Sequence, residues 1–555
     1  MSVYIEGSLT LVENMFGLSL ESFIVYNLAV KCDVDVNLCV VDNEGELKMV
    51  LDLDKFVVIN KNDIPRIGSY CKWPIVITNN KVVAGLCAVC RQIIKLSNNS
   101  NLKNLLGFKE SCLMACSETS TWTKFCEVDI IKTTKDLLVD LNKFIENDCF
   151  KAPICFGKFE HHLNQPVRMH NIYKVARRVH NDKDLKSSLP IEGLNLNHLY
   201  AEGLYMTLAD CIIYFCYKLI FTQIIFDGDS KNDLNLTSSW MKRMDLSELN
   251  INIDKKPDIV SIKKVILPKI KHTSLYSSEQ NKYKQEISVT SEIIDDLNRS
   301  LHNLKISNNL IPFGDDLNFD WGLIPFNANP GAALPKNRSK RKCEQLENLA
   351  KSVLKIIQTK TSQKSIKIVD FCSGGGHLGI LLSTLLPNST IILVENKERS
   401  LEMALNRIKS LKLTNIQIVQ SNLDYFIGKF NIGISLHACG VATDLVIQKS
   451  IDNKADFVCC PCCYGAIKNC HQISYPRSGY FKNMLSYDEY LRATRGADQT
   501  HDEENPKTKN GFRCMDIIDW DRKLYAEQFG YEVRLGKLKP SNCTVKNNLL
   551  VGILG

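Results

Sequence analysis

A glycine-rich turn between a short apolar run and a helical pattern constrains this chain more than any other feature of its sequence. Residues 369–379 read VDFCSGGGHLG, so that Gly374, Gly376 and Gly379 satisfy the spacing G-x-G-x-x-G. The spacing alone is a weak signal, but here it follows a predicted strand and begins a predicted helix, as a nucleotide-binding turn does. Glycines let the backbone turn tightly and approach a ligand closely.

Two acidic residues beside this turn distinguish between nucleotide ligands. Glu395 ends the next predicted strand, where a carboxylate can accept hydrogen bonds from both hydroxyls of a ribose. Asp370 precedes the glycines, and a nearby anion disfavours the pyrophosphate of a dinucleotide but not a cationic cofactor. The pattern predicts S-adenosylmethionine, held by Asp370, Gly374, Gly376 and Glu395. Asn422 follows the third strand, where an adenine contact often falls, and a turn-forming asparagine is the alternative.

From Arg341 onward, strand-like and helix-like patterns alternate. Strands are predicted over 366–371, 390–394, 416–419, 432–436 and 457–460, and helices over 344–358, 377–386, 399–411 and 442–451. This alternation predicts a parallel, doubly wound sheet. A helix over 521–529 then precedes two strands, 531–535 and 548–554, that have no helix between them. We therefore expect a Rossmann-like methyltransferase sheet with an antiparallel last strand, rather than a nicotinamide-binding domain.

The rest of the chain is long enough for further domains, since 555 residues exceed what one hydrophobic core supports. Residues 1–106 alternate strand-like runs with polar turns, and residues 107–250 are mostly helical by periodicity. Residues 251–335 are largely polar with sparse periodicity and end in a proline-rich stretch, which predicts a partly ordered linker. The predicted methyltransferase domain occupies residues 336–555.

Composition indicates a reducing compartment and no membrane partner. The 22 cysteines include adjacent pairs, which make a poor disulfide framework, and the first residues lack the basic region of a signal peptide. The longest apolar run, 203–226, contains Asp210 and Lys218, so a buried helix is expected rather than a membrane span. The net charge of +8 is compatible with a nucleic-acid partner without being evidence for one. The predicted location is cytoplasmic.

Residues 459–465, CCPCCYG, lie at the end of the fourth parallel strand, beside which ligands of open α/β sheets bind. Methyltransferases that act on amines often carry an Asn/Asp-Pro-Pro-Tyr/Phe sequence here. This chain keeps a proline and the aromatic Tyr464, which we expect to stack on a base, but it lacks the amide. His437 ends the preceding strand, where it lines the cofactor pocket, acts on the target or has a structural role.

Three interpretations of the cysteines remain open. Cys462 or Cys463 is a thiolate nucleophile; or two of the four cysteines bind zinc together with Cys470 and His471; or the thiols are small buried groups that line a pocket. Alternate strand residues point to opposite faces, so all four cysteines of the segment cannot converge on one ion. We expect the third interpretation, buried thiols without a metal ion.

Three shorter segments carry weaker signals. Residues 336–342, KNRSKRK, form a basic run that binds phosphates or directs nuclear import, with a solvated helix start as the alternative. Thr207 and Asp210 have the spacing of a helix capping box. Cys87 and Cys90 have the spacing of a redox pair, but they lie too late in their region for a redox motif, so redox function is not expected.

Several of these segments together resemble the glutathione S-transferase C-terminal domain-containing proteins. The matching segments are 200–203 (YAEG), 207–210 (TLAD), 331–335 (GAALP), 370–377 (DFCSGGGH), 436–440 (LHACG), 460–465 (CPCCYG) and 546–548 (KNN). The methyltransferase half is also similar, more loosely, to transfer-RNA ribose methyltransferases and other RNA methyltransferases. The resemblance implies a cytoplasmic methyltransferase with RNA as its substrate.

The front half resembles a glutathione transferase, which implies a thioredoxin-like domain over 1–106 and a helical domain over 107–250. Residues 73–76, WPIV, match the cis-proline strand of those enzymes. Gly85 and Leu86 stand where the enzymes place the Glu-Ser pair that holds the γ-glutamyl group. We therefore predict a module without glutathione transferase activity that docks a protein partner. The alternative for the whole chain is a cofactor-binding or inactive scaffold.

Overall fold

The computed structural model describes residues 2–9, 15–40, 47–50, 56–78, 81–226, 234–253, 259–270, 274–276, 311–332, 334–360, 365–500 and 506–555. The chain divides into two units. One consists of Met1–Asn79 with Val83–Lys282, and the other consists of Tyr283–Gly555 with Asn80–Val82. The central part of the predicted linker, 277–310, lies outside the described residues.

The first unit contains twelve short strands and nine helices within its described residues. The strands are β1 (Ser2–Leu9), β2 (Met15–Leu18), β3 (Val36–Val40), β4 (Leu47–Val50), β5 (Phe56–Ile59), β6 (Ile75–Ile77), β7 (Val82–Ala84), β8 (Ile145–Glu146), β9 (Cys149–Lys151), β10 (Ile224–Phe226), β11 (Val260–Ile262) and β12 (Lys264–Ile266). The helices are α1 (Leu20–Cys32), α2 (Leu86–Leu96), α3 (Ser100–Lys103), α4 (Thr121–Lys124), α5 (Ile130–Val139), α6 (Ile154–Leu163), α7 (Ile172–Val179), α8 (Leu208–Phe221) and α9 (Asn235–Asp245).

The front sheet is built on a parallel β1–α1–β3 crossover. Strand β1 pairs in parallel with β3 on one side and antiparallel with β6 on the other, which gives the order β3–β1–β6–β7. The peptide bond between Trp73 and Pro74 precedes β6 and is cis. Helix α2 follows β7 directly and packs on α1.

Helix α8 is the predicted apolar run, and it forms the centre of the first unit's core. Thr207 caps it, and the Asp210 carboxylate accepts the backbone N–H of Thr207 at 2.8 Å, which confirms the capping box. Asp210 also accepts the indole N–H of Trp240 at 2.8 Å, and Lys218 forms an ion pair with Asp245. The charges of this helix are thus paired. Among the described residues, no helix is long and apolar enough to cross a membrane.

Part of the predicted linker is regular structure. Strand β11 pairs in parallel with β10, and β12 pairs in parallel with β9. Further along, Ile324 and Ala328 are buried in the core of the second unit. Strands of three residues are too short to show a hydrophobic period, which is why the sequence did not reveal them.

The second unit contains seven strands and seven helices within its described residues. The strands are β13 (Lys367–Phe371), β14 (Thr390–Glu395), β15 (Ile416–Gln420), β16 (Ile432–Cys439), β17 (Asp456–Cys462), β18 (Tyr531–Lys537) and β19 (Asn548–Leu554). The helices are α10 (Lys336–Thr359), α11 (His377–Leu385), α12 (Glu398–Ser410), α13 (Val441–Asn453), α14 (Gly479–Met484), α15 (Tyr487–Gly496) and α16 (Pro506–Glu527).

The strand order of the second unit is β15–β14–β13–β16–β17–β19–β18. The first five strands are mutually parallel, and β19 runs antiparallel to both β17 and β18. The predicted α/β sheet with an antiparallel last strand is confirmed. Because the order reverses beside β13, the carboxyl ends of β13 and β16 border the crevice in which such sheets bind ligands.

Two predicted helices are shorter than the observed ones. Helix α10 begins at Lys336 rather than residue 344. The basic run forms its first turns, and most residues of these turns are exposed to solvent, so they show no apolar period. Helix α16 begins at Pro506 rather than residue 521. Its buried face includes Asp519 and Arg522, which are paired with each other. Charged residues on the buried face conceal the apolar period by which a helix is recognised in sequence.

Candidate functional site

The three glycines of the turn, Gly374, Gly376 and Gly379, are required for different structural reasons. Gly374 and Gly376 adopt positive φ angles of 54° and 69°, which favour glycine. A Cβ on Gly379 would lie 2.2 Å from the Leu393 side chain, and one on Gly376 would lie 2.7 Å from it, so both allow α11 to pack closely on β14. A Cβ on Gly374 would meet nothing within 4 Å. Gly374 therefore borders open space at the ends of the strands, where a ligand can approach the backbone.

The two predicted acidic residues hold the turn from either side. Asp370 is almost fully buried, and its carboxylate accepts the backbone N–H of Gly379 at 2.9 Å. Glu395 accepts the N–H of Gly374 and that of Lys397, both at 2.9 Å. A carboxylate has about four acceptor sites, so Glu395 keeps capacity for two ribose hydroxyls. The residues present therefore fit a nucleoside cofactor.

The sequence did not single out Arg407, which braces the turn from α12. Its guanidinium donates to the backbone carbonyl of Gly375 at 3.0 Å and lies 2.6 Å from Nδ1 of His377. Burial, together with the positive charges of Arg407 and Lys342, lowers the pKa of His377 to about 3. His377 is therefore neutral at pH 7 and can accept the hydrogen bond from Arg407.

Asn422 lies just beyond β15, at the start of a short 3₁₀ turn. Its side-chain oxygen accepts a hydrogen bond of 3.4 Å from the amide of Asn396, which follows Glu395. The two asparagines thus lie at the same strand ends as the glycine turn. The adenine contact of Asn422 stays a prediction.

His437 occupies the end of β16 in a left-handed conformation with φ of 65°. Its Nε2 lies 3.1 Å from the side-chain oxygen of Gln345, whose own amide donates to the carbonyl of Cys543 at 2.8 Å. Because the side-chain oxygen of Gln345 can only accept a hydrogen bond, Nε2 of the neutral imidazole carries the proton. Nδ1 of the ring then has a free lone pair. Nδ1 is buried without a hydrogen-bond partner. Burial, together with the charge of Lys342, lowers the pKa of His437 to about 4.

Lys342 is a second residue that the sequence did not assign to the site. It is the last residue of the basic run and is half-buried, whereas Lys336, Arg338 and Lys340 are exposed. Burial lowers the pKa of the Lys342 ammonium, and the negative charge of Asp370 opposes that shift. The run is therefore a solvated helix start with one inward-facing lysine beside the glycine turn.

The predicted cysteines divide into two groups. Cys459 and Cys460 are fully buried in β17, and burial raises their pKa values far above those of exposed thiols. Cys462 and Cys463 instead meet Cys439 of β16, and the sulfur of Cys439 lies 3.5 Å from that of Cys462. The expectation that the four cysteines cannot converge on one ion is confirmed.

The thiols of Cys439 and Cys462 titrate as a pair. Their sulfurs share a hydrogen bond in which either thiol can be the donor, so ionisation of one keeps the other protonated. The positive charge of Lys397, just past Glu395, lowers the pKa of Cys439. The role of Cys462 or Cys463 as a nucleophile stays a prediction.

Tyr464 does not present its ring to solvent. It is fully buried, and its hydroxyl donates to the carboxylate of Asp519 at 2.7 Å. The cations of Arg522 and Lys546 each lie 5.5 Å from its ring centroid. These contacts favour a role in supporting the cysteine loop, and stacking on a substrate base stays a prediction.

In the first unit, a carboxylate of the chain itself lies at the N-terminus of α2. The backbone N–H of Cys87 donates to the buried carboxylate of Glu127 at 3.2 Å. Helix N-termini attract anions, and Glu127 takes that position here. Burial raises the pKa of Cys87 and of Cys90, so these thiols are poorly nucleophilic.

Comparison with known proteins identifies a methyltransferase domain in the second unit. A family described as a methyltransferase domain matches residues 341–470. This match confirms the methyltransferase domain and S-adenosylmethionine as its cofactor. A tRNA:m(4)X modification enzyme of Schizosaccharomyces pombe, TRM13, is 29% identical over 169 residues, which are 24% of this chain and 44% of that protein.

Two relatives match most of the chain. A glutathione S-transferase C-terminal domain-containing protein homolog of Drosophila melanogaster is 41% identical over 510 residues, covering 85% of this chain and 83% of the relative. The Homo sapiens protein of that name is 32% identical over 573 residues, covering 89% and 88%. The chain belongs to the family of glutathione S-transferase C-terminal domain-containing proteins.

Proposed function

We propose that this protein transfers a methyl group from S-adenosylmethionine to RNA. The observation that carries the proposal is the open side of Gly374 beside the Glu395 carboxylate, at the carboxyl ends of the parallel strands. When bound, the cofactor supplies an electrophilic methyl group on a sulfonium. Asp370 holds the turn through Gly379, and Glu395 receives the ribose hydroxyls. Catalysis then consists chiefly of aligning the acceptor with that methyl group.

His437 is the proposed positioning group for the acceptor. Its unpartnered Nδ1 can accept a hydrogen bond from an acceptor hydroxyl, while Gln345 holds the ring through Nε2. A pKa of about 4 makes the imidazole a weak base at pH 7, so orientation of the hydroxyl outweighs proton removal. This role matches a ribose or similar hydroxyl as the methyl acceptor.

RNA as the substrate rests on two further observations. Lys336, Arg338 and Lys340 are exposed on the first turns of α10, the helix that also carries Lys342 into the site. Exposed cations at the start of a helix can bind phosphates of RNA. The chain is also similar to a tRNA modification enzyme over 169 residues.

We propose that the first unit docks a protein partner and has no glutathione chemistry. The Glu127 carboxylate fills the helix N-terminus that would hold a carboxylate of glutathione, and Leu86 offers no hydroxyl. The proposed location is the cytoplasm, which the 22 free thiols support because thiols persist in reducing compartments.

Cofactor binding is tested by calorimetric titration with S-adenosylhomocysteine. We expect Glu395→Ala to weaken binding by about 100-fold or more, because two hydrogen bonds to a charged acceptor are lost. Glu402→Ala is the matched control, since Glu402 is an exposed acidic residue on α12 and binding should be unchanged. Failure of the wild-type protein to bind would contradict the proposal.

Turnover is tested by transfer of tritiated methyl groups from the cofactor to total small RNA. His437→Asn should reduce the rate by about 100-fold while S-adenosylhomocysteine binding is retained. The second candidate function is a cofactor-binding scaffold, which the burial of Tyr464 favours. Binding without transfer to RNA would support that scaffold against the enzyme.

A further inference from the structure

Three cysteines, an adjacent pair and one that lies 23 residues before it, meet at one edge of the second unit's sheet. The Sγ atoms of Cys439, Cys462 and Cys463 all lie within 4.8 Å of one another. Cys439 ends β16 and Cys462 ends β17, and these two residues are register partners beyond an irregularity that follows Leu436. The pairing of two neighbouring parallel strands therefore produces the cluster.

We infer that these three thiols bind a zinc ion. In a tetrahedral site with Zn–S bonds of about 2.3 Å, the sulfurs are about 3.8 Å apart. The observed spacing, 3.5 Å for Cys439 to Cys462 and at most 4.8 Å for all pairs, brackets that value. A disulfide needs about 2.0 Å instead. Soft thiolate ligands select zinc over hard cations such as magnesium.

The backbone around the cluster is held in place before any ion binds. Cys463 has a left-handed conformation with φ of 49°, which is unfavourable without glycine and persists where the surroundings impose it. The N–H of Gly440 donates to the carbonyl of Cys462 at 3.2 Å. The N–H of Gly465 donates to the carboxylate of Asp498 at 2.8 Å. Such support of the ligand loop is characteristic of metal sites.

The site has three protein ligands and an open fourth position. Within the part of the chain that the structure describes, no other histidine, cysteine or carboxylate joins the group. Cys439 and Cys463 are both exposed, so the fourth position can be reached from solvent. Zinc sites with three protein ligands keep the fourth for water or substrate. The inferred ion thus takes an exchangeable ligand at the edge of the sheet that carries the cofactor turn.

This ligand set differs from the one considered from the sequence. His471 is engaged with Asp424, whose carboxylate lies 2.7 Å from its Nε2. Cys470 is not part of the thiol cluster. Adjacency in sequence suggested these two residues, whereas strand pairing brings Cys439 instead. The inference does not rest on methyl transfer, because it depends only on the geometry of the three thiols.

The test is metal analysis of the full-length protein, purified under reducing conditions without chelator. Elemental mass spectrometry should find one zinc ion per chain, and cobalt(II) added to the stripped protein should give an intense thiolate-to-cobalt charge-transfer band. Cys439→Ser and Cys463→Ser, at exposed positions, should weaken cobalt binding by more than about tenfold. Cys470→Ser is the matched control and should leave metal content and cobalt affinity unchanged.

Circular dichroism and urea unfolding show that each variant is folded, and calorimetry with S-adenosylhomocysteine on the same samples separates failure of this inference from failure of the proposed function. Absence of both zinc and the cobalt band in wild-type protein would overturn the inference. Equal loss of metal in Cys470→Ser would overturn the ligand assignment. A disulfide between Cys439 and Cys462, found by peptide mass spectrometry of protein alkylated at cell lysis, would also overturn it.

Discussion

Asp370 illustrates how one residue can serve both the fold and the cofactor. Its carboxylate accepts the N–H of Gly379 and so holds the first turn of α11 against β13. Burial, together with the like charge of Glu395, outweighs the opposing effects of the Gly379 hydrogen bond and the Lys342 charge, so that its pKa is raised to about 7. The protonated form therefore predominates in the folded protein at mildly acidic pH. A cationic cofactor favours the ionised form instead.

This shift predicts that Asp370 makes stability depend on pH. Between about pH 4 and pH 7, an unfolded aspartate is ionised while buried Asp370 stays protonated, so unfolding releases a proton and stability falls as pH rises. Asp370→Asn keeps an acceptor for Gly379 and should remove this dependence. The wild-type-minus-variant difference in unfolding free energy should fall by about 3 to 4 kcal/mol across that window. Urea unfolding of both proteins at about pH 4 and about pH 7 measures this difference. A difference in unfolding free energy that does not change with pH would contradict the prediction.

At the scale of elements, helix α16 is attached to the sheet by a buried ionic network. Arg522 is 1% exposed and donates to Asp444 of α13 at 2.7 Å and to Asp519 at 2.9 Å. Asp519 also accepts hydrogen bonds from the hydroxyl of Tyr464, just beyond β17, and from the side-chain amide of Asn548 in β19. The network joins α16 to the end of β17 and so supports the cysteine loop.

Breaking this network should destabilise the second unit strongly. Arg522→Leu leaves two buried carboxylates without their cation, which should cost about 3 to 5 kcal/mol of unfolding free energy. Arg534→Leu is the control, because its ion pair with Glu532 is exposed and should contribute at most about 1 kcal/mol. Urea unfolding with hydrogen exchange of β17 and α16 peptides assigns the transition. Equal effects of both substitutions would contradict the role of the network.

At the scale of the whole molecule, the chain joins a unit that starts with a β1–α1–β3 crossover to a methyltransferase unit. The resemblance of the first unit to a glutathione transferase stays a prediction, and the ligand groups of that enzyme are missing from the sequence. Gly85 and Leu86 replace the expected carboxylate and hydroxyl, and Glu127 occupies the start of α2. We therefore propose that the chemistry of the protein lies in the second unit.

We predict that the protein does not conjugate glutathione to a chromogenic electrophile above the uncatalysed rate. Leu86→Ser should also be inactive, because the hydroxyl alone leaves the carboxylate of Glu127 at the helix N-terminus, where it repels the glutathione carboxylate. The assay is spectrophotometric, with an active glutathione transferase as positive control. Conjugation by either protein would show that the first unit has kept catalytic activity.

The sequence by itself determined the features that depend on neighbouring residues. The glycine spacing, the alternation of strands and helices and the Thr207–Asp210 capping box are local patterns, and the structure bears out each of them. Only the tertiary structure decided which distant residues meet: Cys439 with Cys462, and Glu127 with the start of α2. Strand register and helix packing set these contacts, and no periodicity in the sequence records them.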